Sequence, residues 1–368
     1  MLSACRFQNR FYTEGMNTVF NPKSSWLSQL KDKWPARKSL SRHHATAMYI
    51  SGSAVATVHG EQRQTEDGDN RYSISMRADP IKDKEDYARV IGLQKQSLGL
   101  KSEECHVVLA PEFYSLSLVD RPPVDEAELK NAVRWSVQEN IDYPMELAEL
   151  DVFDLPRSAS RESNRDLLFV TVARKDLIAR IVGYIHDNGL KGCTVGVSEL
   201  SFRNTVATLF PEADRSIGLV RLTANSGLIN ISRSAELFLS RRITGVPGDF
   251  DEDAWGQFKD QLLLQVQRSI DYYESAMSQP PCDAIVVATT HNWQDKVCDY
   301  LDEMLPVPIR SFTQLLGQKF DLTLHNPDPV EIDWDNYNDE HSNAISAALP
   351  AIGGLLRGLR PAVLDDNA

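Results

Sequence analysis

Two hairpin turns are the places where this sequence could grip an anion. One is Ser51–Gly52–Ser53, within the apolar stretch Ala45–Val58. The other is Ala224–Asn225–Ser226–Gly227, within Ile217–Ile231. Glycine and small residues let backbone N–H groups approach a phosphate closely. Arg221 and Thr223 lead into the second turn, and Arg221 could meet a phosphate as a point charge. Neither turn carries a carboxylate, so neither supplies the usual ligand for a phosphate-bound metal.

Other chemistry is sparse. No GxxxxGK[ST], GxSxG or HExxH occurs. His43–His44 with His59 lacks metal-ligand spacing and reads as solvated. The acidic run "DWDNYNDE" (Asp333–Glu340) lacks the central glycine of a calcium loop and also reads as solvated. Cys5, Cys105, Cys193, Cys282 and Cys298 stand singly, with no CxxC pair, which suits a reducing compartment. A formal net charge of −13 over 368 residues argues against a general nucleic-acid binder. No apolar run reaches the roughly 20 residues of a membrane span, and the start has no signal-peptide core.

The elements that must position these turns follow from hydrophobic period. Residues 1–44 read as a flexible basic extension. Within it Trp26, Leu27, Leu30 and Trp34 share one helical face, fit for docking or for weak membrane-surface contact. After the first hairpin, Tyr72–Met76 and His106–Leu109 read as strands and Tyr87–Ser97 as a helix. A helix running through Trp135 opens at Asp125 and Glu128, whose spacing resembles a capping box. Asp151–Leu155, Leu167–Val172 and Cys193–Val197 read as strands. Asp176–Asp187 and Ser201–Phe210 read as helices, with Gly189 a C-cap. This order argues α/β. Further on, Ala254–Ser278 is a long helix with Phe258, Leu262, Val266, Ile270 and Met277 on one stripe. Ala284–Ala288 and Val307–Phe312 read as strands, Trp293–Met304 as a helix, Asp321–His341 as an acidic loop, and Ser342–Leu359 as a closing apolar helix.

Four stretches resemble a known family. They are "RPPVDEAELKNAVRWSVQENIDYPMELAELDVFDL", "LLFVTVARKDLIARIVGYIHDNGLKGCTVGVSEL" ending at Glu199, "QLLLQVQRSIDYYES" and "AIVVATTHNWQDKVCDYLDEMLPVPI". In the third, Arg268, Ser269, Asp271 and Tyr272 match the family pattern. From about His44 to Arg360 the chain resembles the PilM family, the actin-like component of type IV pilus assembly. The nearest branch in pattern is MshI, from mannose-sensitive haemagglutinin (MSHA) pili. The resemblance implies an α/β, actin-like fold of two lobes, 45–215 and 216–341. The first would hold an inserted subdomain at about 105–173, and a closing helix, 342–360, would pack back on the first lobe.

It also implies where ATP with magnesium would lie. The family's first-loop aspartate falls near Tyr49, leaving Ser51, Gly52 and Ser53 as the small residues. Its second-loop aspartate–x–glycine falls on Arg221–Leu222–Thr223, with Ser226 and Gly227 small but late in the turn. Its third-loop glycine pair falls on Thr289–Thr290. Three departures together predict a degenerate nucleotide site, with no catalytic residue, resident metal or cofactor. The alternative is an actin-like ATP-binding protein or ATPase whose nucleotide state regulates assembly. The implied partner is the N-terminal tail of a PilN-like (MshJ-like) inner-membrane protein, held beside the inserted subdomain, and after it the assembly motor ATPase. The implied place is the cytoplasmic face of the inner membrane, through that partner. By position, Arg134, Asn140 and Tyr143 are the candidate peptide contacts and Trp135 reads as core; Arg268 with Asp271, three apart on one face, reads as a helix-surface or inter-lobe salt bridge, with a place in the cleft as the alternative because the family shares that stretch.

Overall fold

The computed structural model describes residues 44–359 except 66–68, 103, 157–165, 213, 249–250, 290–292, 327 and 334–338. The basic extension up to residue 43, residues 157–165, and most of the acidic run Asp333–Glu340 lie outside the described residues.

The first sheet begins as an antiparallel meander: β1 (His44–Ile50), β2 (Ala54–Gln64) and β3 (Asn70–Pro80). Helix α1 (Asp86–Ser97) then crosses to β4 (Glu104–Leu109), which pairs parallel with β1. Gly99 ends α1 at φ +63°, and the N–H of Leu100 reaches back to the Lys95 carbonyl at 2.9 Å.

A subdomain follows. β5 (Tyr114–Asp120), α2 (Glu126–Val137), β6 (Ala148–Asp154) and β7 (Leu167–Arg174) form a three-stranded antiparallel sheet in the order β5-β7-β6, with one helix on it. Its core is Leu129, Val133 and Val137 of α2 against Leu150, Leu168, Val170 and Val172. Asp125 is the N-cap residue of α2, but its side chain makes no capping bond; instead its carbonyl accepts the Glu128 N–H at 2.9 Å. The inserted unit thus starts after β4, later than the boundary near Cys105 read from sequence.

The chain returns through α3 (Lys175–Asp187) to β8 (Lys191–Val197), parallel to β4, and then α4 (Ser198–Leu209). The second sheet is built from β9 (Ser216–Thr223), β10 (Ser226–Arg233) and β11 (Glu236–Ile243). After it runs α5 (Glu252–Asp271), capped by the Asp251 side chain on the Ala254 N–H at 2.7 Å. The sequence-predicted helix to Ser278 instead ends in a π-turn, Tyr272–Ala276. β12 (Ala284–Thr289), α6 (Gln294–Met304) and β13 (Ile309–Ser311) complete a sheet in the order β11-β10-β9-β12-β13.

The acidic-loop reading of Asp321–His341 is overturned for its first half, which forms strands. After α7 (Phe312–Lys319), β14 (Phe320–His325) buries Phe320, Leu322 and Leu324, and pairs parallel with β3. β15 (Pro329–Glu331) pairs with β14. Both strands belong to the first sheet, whose order is β15-β14-β3-β2-β1-β4-β8. The second lobe therefore stops short of the boundary at 341 drawn from sequence.

The closing helix α8 (Asp339–Leu359) lies with α4 between the two sheets. Ala47 and Val58 of the first sheet, Leu219 and Val286 of the second, Phe202 and Val206 of α4, and Ile345, Leu349 and Ile352 of α8 share one core. The approach is close enough that a Cβ on Gly353 would lie 2.0 Å from the Ser201 carbonyl oxygen. Among the described residues, no helix is long and apolar enough to cross a membrane.

Candidate functional site between the lobes

The ends of β1 and β9 bring the two hairpin turns to the same side of the molecule, and Arg221 meets Tyr49 there. In the first turn the backbone donors are already used. The Gly52 N–H donates to the Glu112 carboxylate at 2.9 Å. The N–H groups of Ser53 and Ala54 reach the Ser51 hydroxyl at 3.4 and 3.0 Å. The small residues therefore build a closed turn whose donors face acceptors from the protein itself.

Arg221 is turned inward, only 7% exposed. Its guanidinium lies 5.6 Å from the Tyr49 ring and 5.5 Å from the Phe202 ring. It donates from Nη2 to the Ser346 carbonyl at 3.3 Å. That carbonyl needs a donor because of the sequence of α8. The residue four positions on is Pro350, which has no N–H to close the helical hydrogen bond. Arg221 supplies from the second lobe the proton that Pro350 removes from the helix. Burial raises the pKa of the Tyr49 hydroxyl; Arg221 opposes that, and Glu112 and Glu199 add to it.

The rest of the second turn serves packing and hairpin geometry. Asn225 carries the left-handed backbone, φ +60°, and its N–H donates to the Pro247 carbonyl at 3.2 Å. The Thr223 hydroxyl donates to the Ser226 carbonyl at 3.3 Å. Gly227 is buried, and a Cβ there would stand 2.8 Å from the Ile243 Cβ and 3.0 Å from Val246 Cγ2. Its smallness is required by the core of the second lobe. Thr289 ends β12 and is buried; Thr290 lies outside the described residues. Among the described residues no cluster of His, Cys, Asp and Glu is placed to hold a metal ion.

Sequence reasoning did not find the segment that ties this region to the subdomain. Between β4 and β5, the Pro111 carbonyl accepts from Arg242 Nη2 of the second lobe at 3.0 Å. Glu112 holds Gly52. The Tyr114 hydroxyl donates to the buried Glu199 carboxylate and accepts the Ser198 N–H at 3.1 Å. The Asn230 amide of β10 donates to the Glu199 carbonyl at 3.1 Å. Burial pushes the pKa of Glu199 up, with the Tyr114 hydrogen bond opposing, and drives that of Tyr114 well above its ordinary value.

The second feature is a cleft of about 380 Å³ lined by Leu118, Val119 and Asp120 of β5, Ser136 of α2, Leu167 of β7, and Tyr272 of the π-turn. β5 is an edge strand, paired on one side with β7. Across the cleft Arg241 stacks on the Tyr272 ring at 4.4 Å and donates to the Arg268 carbonyl at 3.4 Å. Arg268 and Asp271 are both exposed, and no ion pair joins them. The sequence-chosen contacts fall around this subdomain. Asn140 donates to the Ser117 hydroxyl of β5 at 3.1 Å, and Arg134 to the Met145 carbonyl at 3.3 Å. Tyr143 lies 5.4 Å beneath the Arg174 guanidinium. Trp135 is not core: it is 80% exposed, next to the cleft-lining Ser136. On α2 the stripe Leu129, Val133, Val137 faces the sheet, and Trp135, two residues from Val133, points away from it.

Two sheets sharing a helical layer, each ending in a hairpin at the join, define an actin-like fold. No family model and no curated protein sequence matches the chain. Among solved structures it is similar to one described as the PilM–PilN type IV pilus biogenesis complex. The TM-score is 0.63 at 17% identity, over 88% of this chain and 100% of that one. Two others are more distant. The cytoplasmic domain of EpsL, an inner-membrane component of the type II secretion system of Vibrio cholerae, has a TM-score of 0.42 at 10% identity, over 83% of this chain and 94% of that one. A Bacteroides thetaiotaomicron protein with an actin-like ATPase fold has 0.43 at 7%, over 83% and 96%. The first likeness shows that the chain has an actin-like fold of the PilM kind.

Proposed function

We propose that this protein is a catalytically silent adaptor that holds the extended N-terminal tail of a PilN-like inner-membrane protein. In this reading it works at the cytoplasmic face of the inner membrane, in an MSHA-type pilus platform with an MshJ-like partner, and hands on to the assembly motor ATPase. The observation that carries it is the edge strand Tyr114–Asp120 opening on a cleft walled by Tyr272. An extended peptide can add to such an edge through backbone hydrogen bonds, with side-chain pockets setting specificity. The exposed Trp135 beside the cleft is the residue type that dominates binding energy at interfaces. The net charge of −13 favours a tail that carries arginine. The similar solved structure is described as a complex with PilN, which supports the partner class.

The silent-site part rests on the first turn, whose N–H groups already have acceptors, and on the inward Arg221. Titration calorimetry tests both parts. A synthetic N-terminal tail of a PilN-like inner-membrane protein should bind, and ATP with magnesium should give no heat up to millimolar. A silent peptide titration would remove the adaptor reading. Micromolar ATP binding would restore the nucleotide-regulated alternative.

A further inference from the structure

The Glu112 contact does more than close a turn. Gly52, at the tip of the first turn, offers its N–H outward, in the position from which such turns reach a phosphate oxygen. The acceptor it meets is a carboxylate oxygen at 2.9 Å, from a residue distant in sequence. Glu112 belongs to the short segment that Arg242 grips at Pro111 and that continues into β5, the strand at the cleft. One carboxylate thus occupies the anion position of the first turn and fastens that turn to the root of the cleft strand.

We infer that Glu112 is the resident anion of the first turn, a built-in replacement for a bound phosphate that keeps exogenous anions out. The physical basis is direct. A carboxylate and a phosphate oxygen are both charged acceptors for the same N–H. A tethered acceptor needs no association entropy, so it competes at a high effective concentration. Its negative charge also repels a second anion from the same donor. Glu112 itself is exposed and outside the shared core, so it can be removed without opening a cavity. The inference rests on the reading of Ser51–Ser53 as a phosphate-type turn left without nucleotide.

The test follows the Gly52 amide by NMR in full-length protein labelled with ¹⁵N-glycine, where the chain's 19 glycines limit the number of signals. In Glu112→Ala the Gly52 amide should exchange about tenfold faster than in the parent, the loss expected for one charge-assisted hydrogen bond. Glu112→Gln, which keeps a neutral acceptor, should fall between. Inorganic phosphate should then shift and protect the Gly52 signal in Glu112→Ala and leave the parent unchanged. Equal exchange in parent and Glu112→Ala, or an equal phosphate response in both, would overturn the inference. Calorimetric ATP binding by the parent would count instead against the silent-site reading, so the two failures are distinguishable.

Discussion

The pairing of Arg221 with the carbonyl that Pro350 leaves free makes the two residues energetically dependent. Arg221→Ala removes the donor to Ser346 O and leaves a buried carbonyl without a partner, a cost of about 1–3 kcal/mol. It also removes two stacking contacts, with Tyr49 and Phe202, about 0.5–1 kcal/mol each. Against this stands relief from burying a guanidinium whose Nε has no partner. The net expectation is a destabilisation of about 2–4 kcal/mol for Arg221→Ala. Arg221→Met keeps the packed stem but still leaves the Ser346 carbonyl without its donor, so it should cost about 1–3 kcal/mol, less than Arg221→Ala. The decisive measurement is a double-mutant cycle with Pro350→Ala, read by urea unfolding. Alanine at 350 restores the N–H that closes the helical bond to Ser346 O, so Arg221→Ala should cost about 1 kcal/mol less in that background. Strict additivity, or an Arg221→Ala variant within about 0.5 kcal/mol of the parent, would refute the reasoning. The guanidinium would then have a role other than satisfying this carbonyl.

Other expectations follow from the same contacts. Trp135→Ala should leave stability within about 0.5 kcal/mol because the side chain is largely in water, yet weaken tail-peptide binding tenfold or more by about 1.4 kcal/mol or greater in calorimetry; unchanged affinity would separate Trp135 from the cleft. Gly353→Ala places a Cβ against the Ser201 backbone and should cost at least about 3 kcal/mol or abolish soluble protein, whereas Gly183→Ala, inside α3 with open space around it, should stabilise by about 0.5–1 kcal/mol. For Glu199 the folded pKa is raised above the ordinary 4.5 by burial, so its favourable contribution is complete below that value and is lost as pH climbs through the folded one. Glu199→Gln should accordingly gain on the parent in urea midpoint as pH rises above about 4.5; a constant difference would show that folding leaves the Glu199 pKa unshifted, and a parent that gains instead would show a carboxylate stabilised in its charged form.

Much of the architecture was legible because local physics dictates it. The stripe Phe258, Leu262, Val266 fixes the inward face of α5, and Gly189 at φ +71° fixes the end of α3. β14 carried a signal too, since Phe320, Leu322 and Leu324 alternate, but Asp321 and the acidic residues that follow hid it. Trp135 was misread for a related reason. Hydrophobicity suggested core, while the period of its own helix placed it two residues off the apolar stripe and therefore in solvent.

The sequence by itself determined the periodic elements, the two small-residue turns and the lack of carboxylates at them, because each depends on residues a few positions apart. It could not say what the small residues are for. Gly227 is small because Ile243 and Val246 crowd it, the Gly52 N–H is taken by the Glu112 carboxylate, and the buried Arg221 serves a carbonyl of α8 that Pro350 leaves without a donor. Each of these is a contact between segments far apart in the chain, and only the packing of the two lobes on a shared helical layer decides which distant group supplies the missing partner.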